Sequence, residues 1–258
     1  MIFEVQPDGE KIVTRTSVVM PVRHEGMPAM LKVSHDEDER RGNGLMIWWE
    51  GDGAARVLAH DGDSLLLERA MGMRSLAAMA AGGGDDQASR IICAAAARLH
   101  APRARPLPEL VPLSRWFEPL APTARTHGGI LAEADLAARA LLADPRDVVV
   151  LHGDIHHGNI LDAGDRGWLA IDPKGLIGER CFDFVNILRN PDAATALAPG
   201  RFAHQVNVVS EAASLDRRRL MRWTLAFMGL SAAWHLGHGR LAALDLAVAD
   251  LSAAALES

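Results

Sequence analysis

The rhythm of apolar and polar positions along this chain changes once, near residue 72. Before that point, short β-branched or apolar runs alternate with turn residues, which predicts strands. Residues 11–20 (KIVTRTSVVM) make the first run, punctuated by Pro21 and the Gly26 region. Residues 28–33 (PAMLKV) make the second, with Lys32 inside it. Residues 55–59 and 64–67 flank a hairpin-type turn, HDGD. Between these pairs a charged stretch, residues 35–41, leads into LMIWW, which fits a helix although Gly42 and Gly44 count against one.

Beyond residue 72 the period becomes helical. Asp85 or Asp86 is placed to cap a helix in which Ile91, Ile92, Ala95, Ala96 and Leu99 share a face, ending before Pro102. A proline-rich loop is predicted over residues 103–112. Further helices are predicted over 131–142 and much of 217–255, with a compact β-like island between them at 148–171. Strands first, helices later, and one β-hairpin buried among the helices predict an α+β protein of two lobes. The expected division is residues 1–70 and 71–258, with the hinge at 68–72.

The island holds the candidate chemistry. An apolar strand, VVVL, delivers HGDIHHGN into a loop; two short strands follow, and Asp172 comes directly after the second, stopped by Pro173. The hairpin should therefore return Asp172 towards Asp154 and Asn159. Phosphoryl transfer needs such a set: one carboxylate to orient a hydroxyl and take its proton, and a second carboxylate with an amide oxygen to hold magnesium. The spacing Asp154-x4-Asn159 equals that of a kinase catalytic loop. Two plainer readings compete. An Asp and an Asn in a glycine-containing loop are commonly turn residues, but that leaves Asp172 unexplained. A zinc site of His152, His156 and His157 would need a helix for its His-x3-His spacing, whereas Gly153 and Gly158 predict a loop.

Composition narrows the field. The net charge of −6 and the lack of a basic run disfavour nucleic acid. No segment approaches the length of a membrane span, the first ten residues carry Glu4 and Asp8 where a leader would be basic, and Cys93 and Cys181 form no metal or disulfide pattern. These features predict a soluble cytoplasmic protein. The chain has three lysines, Lys11, Lys32 and Lys174, and otherwise uses arginine. A lysine kept inside an apolar strand is the candidate phosphate ligand, with Glu39, ahead of Glu37, as its partner; the alternatives are a snorkelling lysine and a solvated charge run.

At this point the stretches LHGDIHHGNIL, RGWLAIDPKGLIGER and LSAAWHLG, with WWEGDGAARVL after Lys32, resemble the aminoglycoside phosphotransferases, in particular the streptomycin 6-phosphotransferase and hydroxyurea phosphotransferase branch. The resemblance runs from about residue 21 to 251. It implies a protein-kinase-like fold and an ATP- and Mg2+-dependent kinase of a small-molecule aminoglycoside; sequence leaves the oligomeric state open, with a monomer the expectation. Asp154 would be the catalytic carboxylate, Asn159 and Asp172 the metal ligands, and Lys32 the phosphate ligand. The backbone of Glu68 and Ala70 would meet adenine, while His152 and Asp183 would brace the loop. The first hairpin, around Ser17, lacks the glycines of the protein-kinase nucleotide loop, so the family pattern would put Ser17 over the phosphates.

The acceptor implied is streptomycin, phosphorylated at its 6-hydroxyl. Its two guanidinium groups call for carboxylates, and Glu179, Asp183, Asp192 and Asp245 are the candidates. Trp234 is either pocket lining or core. The alternatives are a kinase of another small hydroxylated molecule, such as hydroxyurea, and a nucleotide-binding pseudokinase acting as an interaction module.

Overall fold

The computed structural model describes residues 3–14 and 16–257; Arg15, within the first predicted strand, lies outside them. The N-terminal lobe is an antiparallel sheet of β1 (Val5–Pro7), β2 (Ile12–Val13), β3 (Ser17–His24), β4 (Met27–Ser34), β5 (Val57–Asp61) and β6 (Ser64–Glu68). Its order is β1-β3-β4-β6-β5, with β2 also on β3. The run at 11–20 is therefore two strands, folded back so that Ile12 faces Val19.

Pro21 does not end its strand; it sits inside β3, opposite Met30. The reason lies in the turn. His24 and Met27 close a two-residue hairpin through Glu25 and Gly26, with φ of 49° and 78° as a type I′ turn requires. Counted from that closing pair, Pro21 and Pro28 both fall where the backbone nitrogen points away from the β3–β4 ladder, so neither ring removes one of its bonds.

Residues predicted as a charged stretch plus a short helix form one helix, α1 (Glu37–Trp49), packed behind the sheet. Asp36 caps it by accepting the Glu39 N–H at 2.9 Å. Gly42, which counted against a helix, has a tertiary reason: a β-carbon there would overlap the carbonyl oxygen of Pro173.

The C-terminal lobe is mainly helical. It starts with α2 (Leu76–Met79), a π-helical turn and α3 (Asp85–Leu99). Neither Asp85 nor Asp86 caps α3; both lie in its first turn, where Asp85 binds Arg201 and Asp86 binds His204 and Gln205 of a later helix. The proline-rich loop ends in β7 (Val111–Pro112), followed by α4 (Leu113–Trp116), α5 (Leu120–His127) and α6 (Ile130–Ala143). Next come β8 (Val148–Leu151), β9 (Ile160–Asp162), β10 (Trp168–Ala170) and β11 (Leu176–Glu179). The chain finishes with α7 (Val185–Arg189), α8 (Ala193–Ala196), α9 (Arg201–Ala213), α10 (Arg217–Gly237) and α11 (Ala243–Glu257). The helix α9 and the strand β11, which pairs with β8, were not anticipated.

The core of this lobe is built on edge-to-face rings. Phe182 meets Phe117, Trp223 and Phe227 at centroid separations of 5.8, 5.7 and 5.3 Å. That cluster anchors α10 beneath the loop that follows β8. The architecture is the predicted one, α+β with a β-rich lobe ahead of a helical lobe. Among the described residues no helix is long and apolar enough to cross a membrane.

Candidate active site

The loop after β8 is held by one buried carboxylate. Asp183 accepts the N–H groups of His152 and Gly153 at 2.9 and 2.7 Å, and His100 Nε2 lies 2.7 Å from the same side chain. Gly153 has φ of 84°, and a β-carbon there would come within 2.8 Å of Leu176 Cδ1, so the turn requires glycine. His152 is wholly buried: its Nε2–H donates to the Ile171 carbonyl at 2.8 Å and its Nδ1 accepts the Asp154 N–H at 3.2 Å. These partners fix one neutral tautomer, and burial, the largest influence, lowers the pKa. With both nitrogens used, His152 is no zinc ligand, and no metal-binding group of three or more His, Cys, Asp or Glu occurs among the described residues.

Asp154 thus projects from a fixed backbone. Its Oδ1 accepts from Asn186 Nδ2 at 2.7 Å, a partner the sequence did not suggest. Asn159 Nδ2 donates to the Asp154 carbonyl at 2.9 Å, which leaves Asn159 Oδ1 without a protein donor. His157 is buried with no hydrogen-bond partner on either nitrogen among the described residues, and burial pushes its pKa down to about 4.

The hairpin of β9 and β10 brings Asp172 to this loop as expected: the Ile171 N–H donates to the Asn159 carbonyl at 2.9 Å. Asp172 takes a left-handed φ of 59°, which turns its side chain towards the N-terminal lobe. There its Oδ1 lies 2.5 Å from Lys32 Nζ, and Lys32 also pairs with Glu39. A second lysine joins them. Lys174 Nζ is 3.1 Å from both Asp172 Oδ2 and Glu39 Oε1. Burial alone would raise the Asp172 pKa, but Lys174 and Lys32 outweigh it and hold the carboxyl well below the usual range. For Lys174, burial opposes the charge and the carboxylates of Asp172, Asp154 and Glu39 prevail, raising its pKa. An ionised carboxylate beside an amide oxygen with no protein donor is a donor set that fits a hard divalent cation.

The remaining candidates are placed as follows. Glu68 spends its N–H on the Arg56 carbonyl and its carboxylate on the Arg56 N–H and Arg166, so its carbonyl is what it can offer a ligand. The Ala70 N–H has no acceptor among the described residues. The Ser17 hydroxyl lies 3.1 Å from that of Thr14 inside a tight turn. It is Thr14 and Thr16 that line the adjacent cavity, and Thr16 also donates to Glu39 at 3.3 Å.

That cavity, of about 860 Å³, opens in front of Asp154 between the β2–β3 turn, the start of α1 and one face of α10. Trp234 lines it while packing edge-on against Trp116 at 5.3 Å, so the residue serves both pocket and core. None of the four carboxylates proposed for guanidinium recognition lines it. Glu179 is bound by Arg219, Asp183 holds the catalytic loop, Asp192 caps α8, and Asp245 sits behind Arg189 and His235. Sequence could not see the distant partners of Glu179, Asp183 and Asp245, whereas Asp192 is satisfied locally by Thr195. Glu118, unremarked in sequence, lines the cavity with no ion-pair partner among the described residues.

A family model described as "Aminoglycoside/hydroxyurea antibiotic resistance kinase" matches residues 3–239. The chain belongs to that family. It is 52% identical over 250 residues to a streptomycin 3''-kinase of Klebsiella pneumoniae, covering 93% of this chain and 94% of the relative. It is 33% identical over 270 residues to a streptomycin 6-kinase of Streptomyces griseus, covering 96% and 85%. Among solved structures, a thermostable mutant of the aminoglycoside phosphotransferase APH(4)-Ia in a ternary complex with AMP-PNP and hygromycin B superposes with a TM-score of 0.64 at 14% identity, covering 96% of this chain and 91% of that one. The fold of this kinase is thus the bilobal, protein-kinase-like one.

Proposed function

We propose that this kinase transfers the γ-phosphoryl group of ATP to a hydroxyl of streptomycin, inactivating it in the cytoplasm as a monomer. The observation that carries the reading is Asp154, fixed at the mouth of a cavity of about 860 Å³ and beside the Lys32–Glu39–Asp172 cluster. The cavity takes in the Thr16 turn as well as the face of α10, and it has room for a drug-sized polyol beside the phosphates.

In this reading the lobe of residues 1–70 holds the nucleotide, with Lys32 on its phosphates and Glu39 fixing Lys32. Ala70 N–H and the Glu68 carbonyl meet the adenine edge, while Thr16, with Ser17 behind it, covers the phosphates. Residues 71–258 supply the acceptor site and the chemistry. Asp172 and Asn159 would hold Mg2+, which supplies charge neutralisation to the triphosphate. Asp154, aligned by Asn186 and Asn159, orients the acceptor hydroxyl and takes its proton as the oxygen bonds to the γ-phosphorus. The bond from phosphorus to the β–γ bridging oxygen breaks, and its electron pair leaves with ADP. His152 and Asp183 act through position alone.

The family resemblance implied the 6-hydroxyl. The 52% identity to a 3''-kinase, against 33% to a 6-kinase, favours the 3''-hydroxyl instead. A coupled ADP-release assay with Mg-ATP and streptomycin tests the reaction, with Asp154→Ala as its control. Streptomycin-dependent turnover lost in the variant supports the reading, and no stimulation by streptomycin sinks it. Phosphorus–proton correlation NMR of the product then separates 3''- from 6-phosphorylation.

A further inference from the structure

Two of the three lysines in this chain meet on the same pair of carboxylates, although apart from Lys11 every other fixed positive side chain is arginine. Asp172 has one ammonium on each oxygen, Lys32 on Oδ1 and Lys174 on Oδ2. Each oxygen keeps a second lone pair, but a divalent cation at Asp172 would be repelled by both ammonium groups, and turning one of them away relieves that repulsion. Lys32 is enclosed between β4 and α1, its side chain 9% exposed, and it does not line the cavity. Lys174 does, beside Gly153 and Asp154. An ammonium on a flexible four-carbon stem can turn from a carboxylate to a phosphate without backbone movement, which the planar fork of arginine does less readily.

Arg41, Arg115, Arg189 and Arg240 also line the cavity, but Lys174 is the one lysine that does so among the described residues. The loop from Asp154 to Asn159 contains histidines but no lysine or arginine. Arg189, on the cavity wall, is held by Asp245 and by Ser231 Oγ.

Building on the phosphotransferase reading, we propose that Lys174 is a second phosphate-binding lysine, which leaves Asp172 to the divalent cation and binds the γ-phosphoryl group during its transfer. Its N–H groups donate to the non-bridging oxygens of that group while the acceptor oxygen–phosphorus bond forms and the bond to ADP breaks. Lys174 exchanges no proton in the step; the hydroxyl proton goes to Asp154.

The test is calorimetric binding of Mg-AMP-PNP and Mg-ADP to the full chain and to Lys174→Met, with kcat on streptomycin alongside. A charge-assisted bond to the γ-phosphate predicts Mg-AMP-PNP weakened about tenfold or more, with Mg-ADP within about twofold. Loss of a preorganised cation at the transferring group predicts a fall in kcat of about 10²–10³. Equal weakening of both nucleotides would mean a clamp on α1 only and would overturn the proposal; so would unchanged AMP-PNP affinity. If Lys174→Met does not fold, Lys174→Arg carries the same comparison, with AMP-PNP again losing more than ADP. Wild-type protein that binds both nucleotides but leaves streptomycin untouched would sink the acceptor assignment, and the nucleotide pair would still decide the role of Lys174.

Discussion

Gly42 of α1 and Pro173 of the loop after Asp172 are in backbone contact, with no room for a side chain between them. This contact sets how closely α1, and with it Glu39, approaches Asp172. Gly42→Ala should therefore push the helix away from the loop. Overpacking of this kind costs about 1–3 kcal/mol, which would lower Tm by several degrees. Turnover should fall further than stability, because Glu39 would lose its reach to both lysines. Thermal unfolding and kcat measured side by side test this; a variant as stable and active as wild type would show that α1 tolerates the displacement.

Asp183 is the second position where one change should be severe. Its carboxylate serves two backbone N–H groups and His100 while 2% exposed. Asp183→Ala leaves those donors buried and unpaired, at about 1–3 kcal/mol each. Urea unfolding should show a loss of at least about 3 kcal/mol, with Asp183→Asn losing less, since an amide oxygen can keep one of the bonds.

Glu118 lines the cavity with no ion-pair partner among the described residues, and a dicationic acceptor would find it. Glu118→Gln should raise KM for streptomycin by up to about fivefold, as expected of an exposed ion pair, and leave KM for ATP unchanged. The effect should shrink in high salt. An unchanged streptomycin KM would direct attention to the acidic start of α1, residues 36–38, on the opposite wall.

Acid should destabilise this protein in part through His157. Its folded pKa of about 4 lies below the unfolded value of 6.5, and burial is the leading cause. Between those values the unfolded chain binds a proton that the folded chain does not, so stability is full above pH 6.5 and is lost as pH falls through 4. The loss approaches about 3 kcal/mol. His157→Gln should flatten that segment of the urea-midpoint profile relative to wild type from pH 7 to 4.5. Parallel profiles would exclude His157 as the titrating group.

Much of the candidate site was legible because its residues lie in one linear segment and their spacing encodes a loop and a hairpin. The convergence of Lys32, Glu39 and Asp172 followed from strand and helix periodicity together with the resemblance. What escaped notice depends on contacts far apart in sequence. Lys174 looked like any residue after Pro173, and its partner Glu39 is 135 positions away. Asn186 reaches Asp154 only because the short turn before α7 folds under the loop. Asp85 and Asp86 had the local signature of caps, yet basic and amide groups of α9 claim them. Local rules decided which elements form, and partners from other elements decided which charges remain free.

The imidazole of His152, bonded at one end to the Asp154 amide and at the other to the Ile171 carbonyl, acts as a spacer of fixed length. It ties the arm that carries Asp154 to the arm that carries Asp172. The β9–β10 hairpin is also stitched to the N-terminal lobe, where Ala170 exchanges backbone bonds with Gly53 and Ala55 at 2.9 Å each. Breathing of the cleft would then be felt mostly at the Thr16 turn and the acceptor rim. In the proposed mechanism, the carboxylates of Asp154 and Asp172 would stay calibrated to each other while nucleotide and acceptor come and go.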